Sequence, residues 1–242
     1  MKTLVIIPSR MSAKRLPGKP LLKIDGLSII SHVFKRAESA NIGEVIVASE
    51  DQEIIDDVKR NGGNAILTSK NHKTGTDRIY EAFNLMKKSD VNYIMNVQGD
   101  EPDIEIDDIR NLDMMMKTNK SDIGTLAAKI FKKNFYKNQN IVKVKIKEPF
   151  EKNPFPYAEN FMRETTETND IFHHIGVYSY EINTLKKFVL FKQSKNELRY
   201  NLEQLRAIDN HININVALAK KSPIGVDTKE DYLAIKKIMK YK

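Results

Sequence analysis

The first half of this chain alternates between two apolar rhythms, and that alternation limits the folds open to it. Residues 3–8, 44–49, 64–68 and 92–97 read as strands, and residues 28–40, 51–61, 76–87 and 105–117 as helices between or after them. Such an order implies a parallel sheet with helices on both faces. The segment SIISHVFKRAESA supports it locally: Ile29, Ile30, Val33, Phe34 and Ala37 fall on one helical stripe, and Ser28 stands where it can cap the helix. Beyond residue 120 the pattern changes. Residues 123–131, 141–147, 174–180 and 212–219 read as strands, 181–191, 197–209 and 228–240 as helices, and 148–170, with three prolines, as a long loop. In 141–147, Lys143, Lys145 and Lys147 alternate with Val142, Val144 and Ile146, the pattern of a half-exposed strand whose lysines protect an edge. The expected fold is α/β: a Rossmann-like, mainly parallel sheet in one domain spanning 1–242, with a β-rich insertion around 124–222.

The first expected strand ends at Pro8 in the loop PSRMSAKRLPGKP, which carries Arg10, Lys14, Arg15 and Lys19. Ligands of open α/β sheets bind beyond the carboxyl ends of the strands, so four cations there point to a polyanion such as a nucleoside triphosphate. The loop is not a phosphate-binding loop of the Walker type: Gly18-Lys19 is followed by Pro20, and Ala13 stands where the first glycine belongs. Phosphate binding would rest mainly on side chains.

Two further segments end expected strands or precede expected helices. Gln98-Gly99-Asp100-Glu101-Pro102 follows the strand at 92–97, where a carboxylate beside a glycine could hold Mg²⁺ against a triphosphate; the alternative is a helix cap or a plain turn. In Ile224-Gly225-Val226-Asp227-Thr228, Asp227 is a candidate second metal acid, the alternative being that Asp227 or Thr228 simply caps the last helix. Thr74-Gly75-Thr76-Asp77-Arg78 is a glycine turn entering a helix, where free N–H groups and Arg78 could meet a base, ribose or phosphate.

Composition narrows the function classes. The chain has 242 residues, a formal charge of +8 and no cysteine, which excludes disulfides, thiolate metal sites and cysteine nucleophiles. The lysines are scattered rather than striped, which favours an anionic small substrate over nucleic acid. No stretch approaches the length of a membrane span or the apolar core of a signal peptide, so the expectation is a cytoplasmic protein without a membrane partner. His173 and His174 would point to opposite faces of a strand and so make a poor zinc pair. No serine-histidine-acid order or dinucleotide-binding glycine fingerprint is recognisable.

Nine stretches in order, PSRMSAKRLPGKPL, a helix, VIVASED, TGTDR, NVQGDEP, NIVKV, HIGVYSY, LEQLR and GVDTKEDY, make the chain resemble the 3-deoxy-manno-octulosonate cytidylyltransferases of Gram-negative lipopolysaccharide synthesis. That resemblance implies a Mg²⁺-dependent transfer of CMP from CTP to the anomeric 2-hydroxyl of 3-deoxy-D-manno-octulosonate (Kdo), by a homodimer. It implies that Arg10, Arg15 and Lys19 clamp the triphosphate, and that Arg78 and Gln98, with Thr74, Gly75, Thr76 and Asp77, define the cytidine pocket. Asp100 and Asp227 would hold the metal, while His174, Tyr178, Glu203 and Gln204 would line the sugar site, to which the insertion contributes along with the dimer interface. Three departures fall on the sugar side. The family's Phe-Ser-Arg run is replaced by PFPYAENFMRE, which leaves Arg163 as the nearest substitute; His173 stands in place of an arginine, and Tyr200 in place of an acid. A related ulosonic or nonulosonic acid is therefore an alternative substrate, and a non-catalytic nucleotide-binding relative is the alternative outside enzymes.

Overall fold

A computed structural model describes residues 1–12 and 15–239; Ala13, Lys14 and residues 240–242 lie outside the described residues, and with them one cation of the basic loop and the end of the expected 228–240 helix. The chain divides into two compact units, residues 1–110 with 223–242, and residues 111–222.

The first unit begins with β1 (Thr3–Ser9), the short strands β2 (Lys23–Ile24) and β3 (Leu27–Ser28), and α1 (Ile29–Ser39). It continues through β4 (Gly43–Ser49), α2 (Gln52–Arg60), β5 (Ala65–Leu67), α3 (Gly75–Met86) and β6 (Tyr93–Asn96), then enters α4 (Ile106–Asn119). Its strands pair in the order β6-β1-β4-β5, all parallel, with Val5 opposite both Val45 and Met95. Leu4, Val5, Ile6 and Ile7 are all buried, as a strand covered on both faces requires. The α1 stripe forms as the spacing predicts, and the Ser28 hydroxyl accepts from the Ser31 amide. The β2-β3 hairpin escapes the apolar pattern because it is so short. Its signature is Asp25-Gly26, both with positive φ (48° and 82°), as a two-residue hairpin turn demands.

The second unit contains β7 (Ile123–Ala128), β8 (Lys143–Ile146), β9 (Ala158–Met162), β10 (Ile171–Glu181), α5 (Ile182–Phe188), α6 (Lys195–Tyr200), α7 (Leu205–Asp209) and β11 (Ile214–Leu218). β7 pairs parallel with β11 and antiparallel with β10, β10 with β8, and β8 with β9. The chain then returns to the first unit and ends in α8 (Lys229–Met239).

Three expectations for this part need correction. The long loop at 148–170 contains β9, whose alternation is broken because Lys145 faces Asn160 while Ile146 faces Ala158, a bulge that leaves Glu159 and Asn160 both exposed. β9 covers β8, so the lysine row guards no free edge. Lys143 is fully buried, and its ammonium donates to the carbonyls of Asn138 (2.7 Å), Ile141 (2.7 Å) and Arg163 (2.5 Å). Three carbonyl dipoles take the place of water around the charge. Lys145 pairs instead with Glu167 at 2.8 Å and Glu159 at 3.5 Å.

The expected helix at 197–209 is two helices. Asn201 ends α6 in the left-handed region (φ 51°), although Leu198, Leu202 and Leu205 continue a helical spacing across it. Arg163 fixes this break: Nε donates to the Tyr200 carbonyl at 2.8 Å, Nη2 to Asn201 at 2.9 Å and Nη1 to Gln139 at 3.0 Å. With its donors on three carbonyls, this guanidinium holds the chain in place and does not stand free as a substitute carboxylate grip. Arg163→Ala should therefore lower unfolding stability by about 1–3 kcal/mol, read from denaturant melts, since charge-assisted hydrogen bonds are worth that much. Unchanged melts would mean that the break holds without it.

Candidate active site

In the first unit, the carboxyl ends of β1 and β6 open into a cleft of about 550 Å³. Of the residues expected to bind nucleotide or metal, Arg10, Arg15, Lys19, Thr74, Gly75, Arg78, Gln98, Asp100 and Asp227 line it. Thr76 and Asp77 are absent from its lining: Thr76 is buried in the first turn of α3, and the Asp77 amide donates to the Thr74 hydroxyl, which caps that helix. The cleft also takes Ser9, Ser12, His72 and Lys73, which the sequence reading did not single out. Their sequence signal was proximity: each lies beside a segment already chosen.

Each wall has a local cause. The Met11 amide donates to the Asp51 carboxylate at 2.7 Å, which ties the start of the basic loop to the entrance of α2. Gly18, with φ 70°, turns the chain into a short 3₁₀ turn at Lys19–Leu21 and so aims Lys19 inward. Gly99 lets the turn after β6 close on the end of β1, since a Cβ there would lie 2.9 Å from the Pro8 carbonyl oxygen and 3.1 Å from Ile30 Cδ1. Arg36 of α1 holds the same turn by donating to the carbonyls of Pro102 (3.1 Å) and Ile104 (3.2 Å).

Asp227 reaches this cleft because the returning chain is stitched to the β6 turn. The Val226 amide donates to the Asp100 carbonyl, and the Ile224 amide to the Asp103 carboxylate, both at 2.9 Å. Val226 and Ile235 then pack with Ile24 and Ile29 in a small apolar cluster. The capping alternative for Asp227 is settled by its neighbours. The Asp231 carboxylate accepts from the Thr228 amide (2.9 Å) and the Asp227 amide (3.1 Å), while the Thr228 hydroxyl accepts from the Asp231 amide (3.2 Å). The carboxylate of Asp227 is left to meet cations.

Those cations are Lys19 and Arg15. Lys19 Nζ lies 2.7 Å from Asp100 Oδ2 and 3.2 Å from Asp227 Oδ1, and Arg15 Nη2 lies 2.8 Å from Asp227 Oδ2. Burial works against the Lys19 charge, yet the two carboxylates more than offset it and raise its pKa above the ordinary lysine value. Glu101, beside them, is pushed well above the usual carboxylate range by burial and by the charges of Asp100, Asp103 and Asp227.

The donor set fits a hard divalent cation. Two carboxylates reach one ammonium, and among the described residues no group of three or more His, Cys, Asp or Glu could hold a metal. Mg²⁺ commonly binds in this way, through one or two carboxylates with phosphate oxygens and water completing its shell.

Arg78 is buried, and its guanidinium is matched by the Glu50 carboxylate. It also donates to the Thr68 hydroxyl at 2.6 Å and the Ser69 carbonyl at 3.2 Å. One turn along α3, the Glu81 carboxylate accepts from the Ser69 amide at 2.8 Å and contacts His72 Nε2 at 2.5 Å. Both faces of the Ser69 residue are thus gripped by α3, and this grip shapes the cleft wall that carries His72, Lys73 and Thr74.

The residues assigned to the sugar lie in the second unit. His174 and Tyr178 are buried neighbours on β10, their ring centroids 5.4 Å apart. Glu203 contributes to raising the Tyr178 pKa, after burial and Tyr180, and its carboxylate is 3.9 Å from Arg206. Arg206 is itself locked to the buried Glu197 by bonds of 2.8 and 2.5 Å. Gln204 stands at the entrance of α7. The two histidines diverge, as period two predicts: His174 Nε2 lies 3.1 Å from the Thr125 hydroxyl, and His173 Nδ1 2.7 Å from that of Ser222.

Burial, and for His174 also the neighbouring His173, lowers the pKa of His174 to about 3; burial and Lys143 lower that of His173 to about 4. Both fall below the unfolded value of about 6.5. The stability they contribute is present above that value and lost as pH falls towards 4 and then 3. Melts from pH 7 to pH 4 should show this loss, and His174→Gln should flatten it. A slope in that variant equal to the wild type would remove His174 as its source.

Comparison with known proteins agrees with this geometry. The cytidylyltransferase family profile matches residues 4–215. A 3-deoxy-manno-octulosonate cytidylyltransferase of Rhodopseudomonas palustris is 42% identical over 241 residues, covering 98% of each chain. One from Thermodesulfovibrio yellowstonii is 40% identical over 243 residues, covering 96% of this chain and 95% of that protein. The solved structure of a CMP:2-keto-3-deoxy-manno-octonic acid synthetase complexed with CTP superposes over 100% of this chain and 99% of that one, with a TM-score of 0.89 and 31% identity. The cleft, its order along the sequence and these full-length similarities together place the chain in the 3-deoxy-manno-octulosonate cytidylyltransferase family.

Proposed function

We propose that this protein is a Mg²⁺-dependent cytidylyltransferase that joins CMP from CTP to the 2-hydroxyl of Kdo and releases pyrophosphate. The observation that carries the reading is one cleft, lined also by Arg10, in which Arg15 and Lys19 meet the carboxylates of Asp100 and Asp227. The sugar oxygen forms a bond to the α-phosphorus, and the bond from that phosphorus to the bridging oxygen of pyrophosphate breaks. The sugar's hydroxyl proton leaves to water.

No covalent nucleophile is needed for such a transfer. The protein positions the reacting groups and neutralises charge that develops on the leaving pyrophosphate. Arg10, Arg15 and Lys19 would bind the phosphates, Asp100 and Asp227 would hold Mg²⁺, and Gln98 with the Thr74-Gly75 turn would bound the cytidine. Mg²⁺, when bound, would polarise the phosphoryl oxygens. His174, Tyr178, Glu203 and Gln204 would receive the sugar.

The work done by a homodimer in the cytoplasm, activating Kdo for lipopolysaccharide, completes the proposal. Family membership supports it, and among the described residues no helix is long and apolar enough to cross a membrane. His173, standing in place of the family's arginine, favours a test that includes related acid sugars.

The test is pyrophosphate release from CTP with Kdo and a panel of other ulosonic and nonulosonic acids. Kdo should give the highest kcat/KM, and CTP should be preferred over ATP and GTP, because polar groups built for one base are left unpaired by another. Release with a nonulosonate alone would reassign the sugar. Asp100→Asn and Asp227→Asn should each remove on the order of several kcal/mol of transition-state stabilisation while leaving the fold intact. An active Asp227→Asn enzyme at saturating CTP would end its role as a metal acid.

A further inference from the structure

The Lys19 ammonium stands where the two carboxylates converge, although the reading above also needs it on the triphosphate. Asp100 and Asp227 come from segments far apart in sequence, and two backbone-anchored stitches, Val226 to Asp100 and Ile224 to Asp103, bring them together. Two ionised carboxylates this close repel each other unless a cation lies between them. In this structure Lys19 Nζ does so, at 2.7 and 3.2 Å, with its side chain only 12% exposed. Arg15 adds a second positive charge on Asp227. The pair is thus neutralised from within.

We infer that Lys19 is a positioning residue for the metal-binding acids as well as a phosphate ligand. In the free protein it occupies the place between Asp100 and Asp227 that a divalent cation needs. When a triphosphate arrives, the ammonium moves to the phosphates, and a divalent cation takes over its two carboxylates. The acids keep a cation throughout, and the extra positive charge that the divalent ion brings is met by the incoming triphosphate oxygens. The consequence is an order of events: the free protein has little affinity for a divalent cation, and metal and nucleotide enter together. This inference rests on the proposed nucleotidyl transfer.

Titration of the full-length protein with Mn²⁺, followed by calorimetry, tests it without an activity assay. Nucleotide-free wild type should bind Mn²⁺ weakly. Lys19→Met, which keeps most of the length of the side chain and removes its charge, should bind it at least about tenfold tighter, as a carboxylate pair without its shared ammonium seeks a cation. Added Mg²⁺ should raise the melting temperature of Lys19→Met and leave that of the wild type nearly unchanged. Lys19→Gln serves the same purpose should the methionine variant fail to fold. The gain should disappear in Lys19→Met/Asp100→Asn; a gain that persists there places the ion elsewhere and overturns the inference. Equal Mn²⁺ affinity in nucleotide-free wild type and both Lys19 variants also overturns it, while leaving the cytidylyltransferase reading intact provided that CTP confers Mn²⁺ binding on the wild type. Failure of the wild type to bind Mn²⁺ even with CTP defeats the metal assignment itself, and this inference with it.

Discussion

The candidate active-site cleft depends on the attachment of the returning chain to the turn after β6. Two hydrogen bonds, donated by the Val226 amide to the Asp100 carbonyl and by the Ile224 amide to the Asp103 carboxylate, set the separation of Asp100 and Asp227. Hydrogen bonding alone would leave that contact labile in water, where a net bond is worth about 0.5–1.5 kcal/mol. Apolar packing of Val226 and Ile235 on Ile24 and Ile29 excludes water from the same region and makes the contact persistent. The two carboxylates then become a consequence of the core: their positions are fixed by groups that carry no charge. Lys19 reaches them because its 3₁₀ turn leads directly into the β2-β3 hairpin, whose Ile24 belongs to that cluster.

The second unit handles its cations differently. Lys143 is surrounded by three carbonyls, Arg163 by three more, and Arg206 by the forked carboxylate of Glu197 with the Phe188 ring 4.7 Å away. In the first two cases the hydrogen-bond partners are backbone carbonyls, so the cation fixes a loop path. This explains why irregular segments such as 137–142 and 200–204 can hold one conformation without regular secondary structure. The depressed pKa of His173 belongs to the same setting, since Lys143 adds to the effect of burial.

Much of this was legible in the chain. Period and run length revealed the parallel core, because β1, β4 and β6 are buried strands whose apolar runs end at Pro, Gly or polar residues. That the basic loop, Asp100 and Asp227 would line one cleft followed from the rule that sites gather beyond the carboxyl ends of such strands, whereas the direct ion pairing between them did not. Illegible features were those in which one partner lies far along the sequence and leaves no periodic trace. Lys143 looked solvent-facing because its neighbours Lys145 and Lys147 are, and no local signal announces the carbonyls that enclose it. Arg163 stood near the expected sugar residues in sequence, yet its donors go to a helix break that the leucine spacing had concealed. Arg78 was selected as a ligand for the nucleotide, and the structure shows that its charge has an internal partner, Glu50, twenty-eight residues earlier.

The discontinuity of the first unit bears on how the protein is made. Its strands have all been made by residue 96, but Asp227 and the segment that aligns it come after the whole of the second unit has been synthesised. Domains fold largely in the order in which they leave the ribosome. A nascent chain can thus bury β1, β4 and β6 early while Lys19 and Asp100 still lack their third partner. The candidate constellation is consequently assembled only after the second unit has been made, and a chain that stalls before residue 223 carries the strands of the first unit without the acid proposed to complete the site.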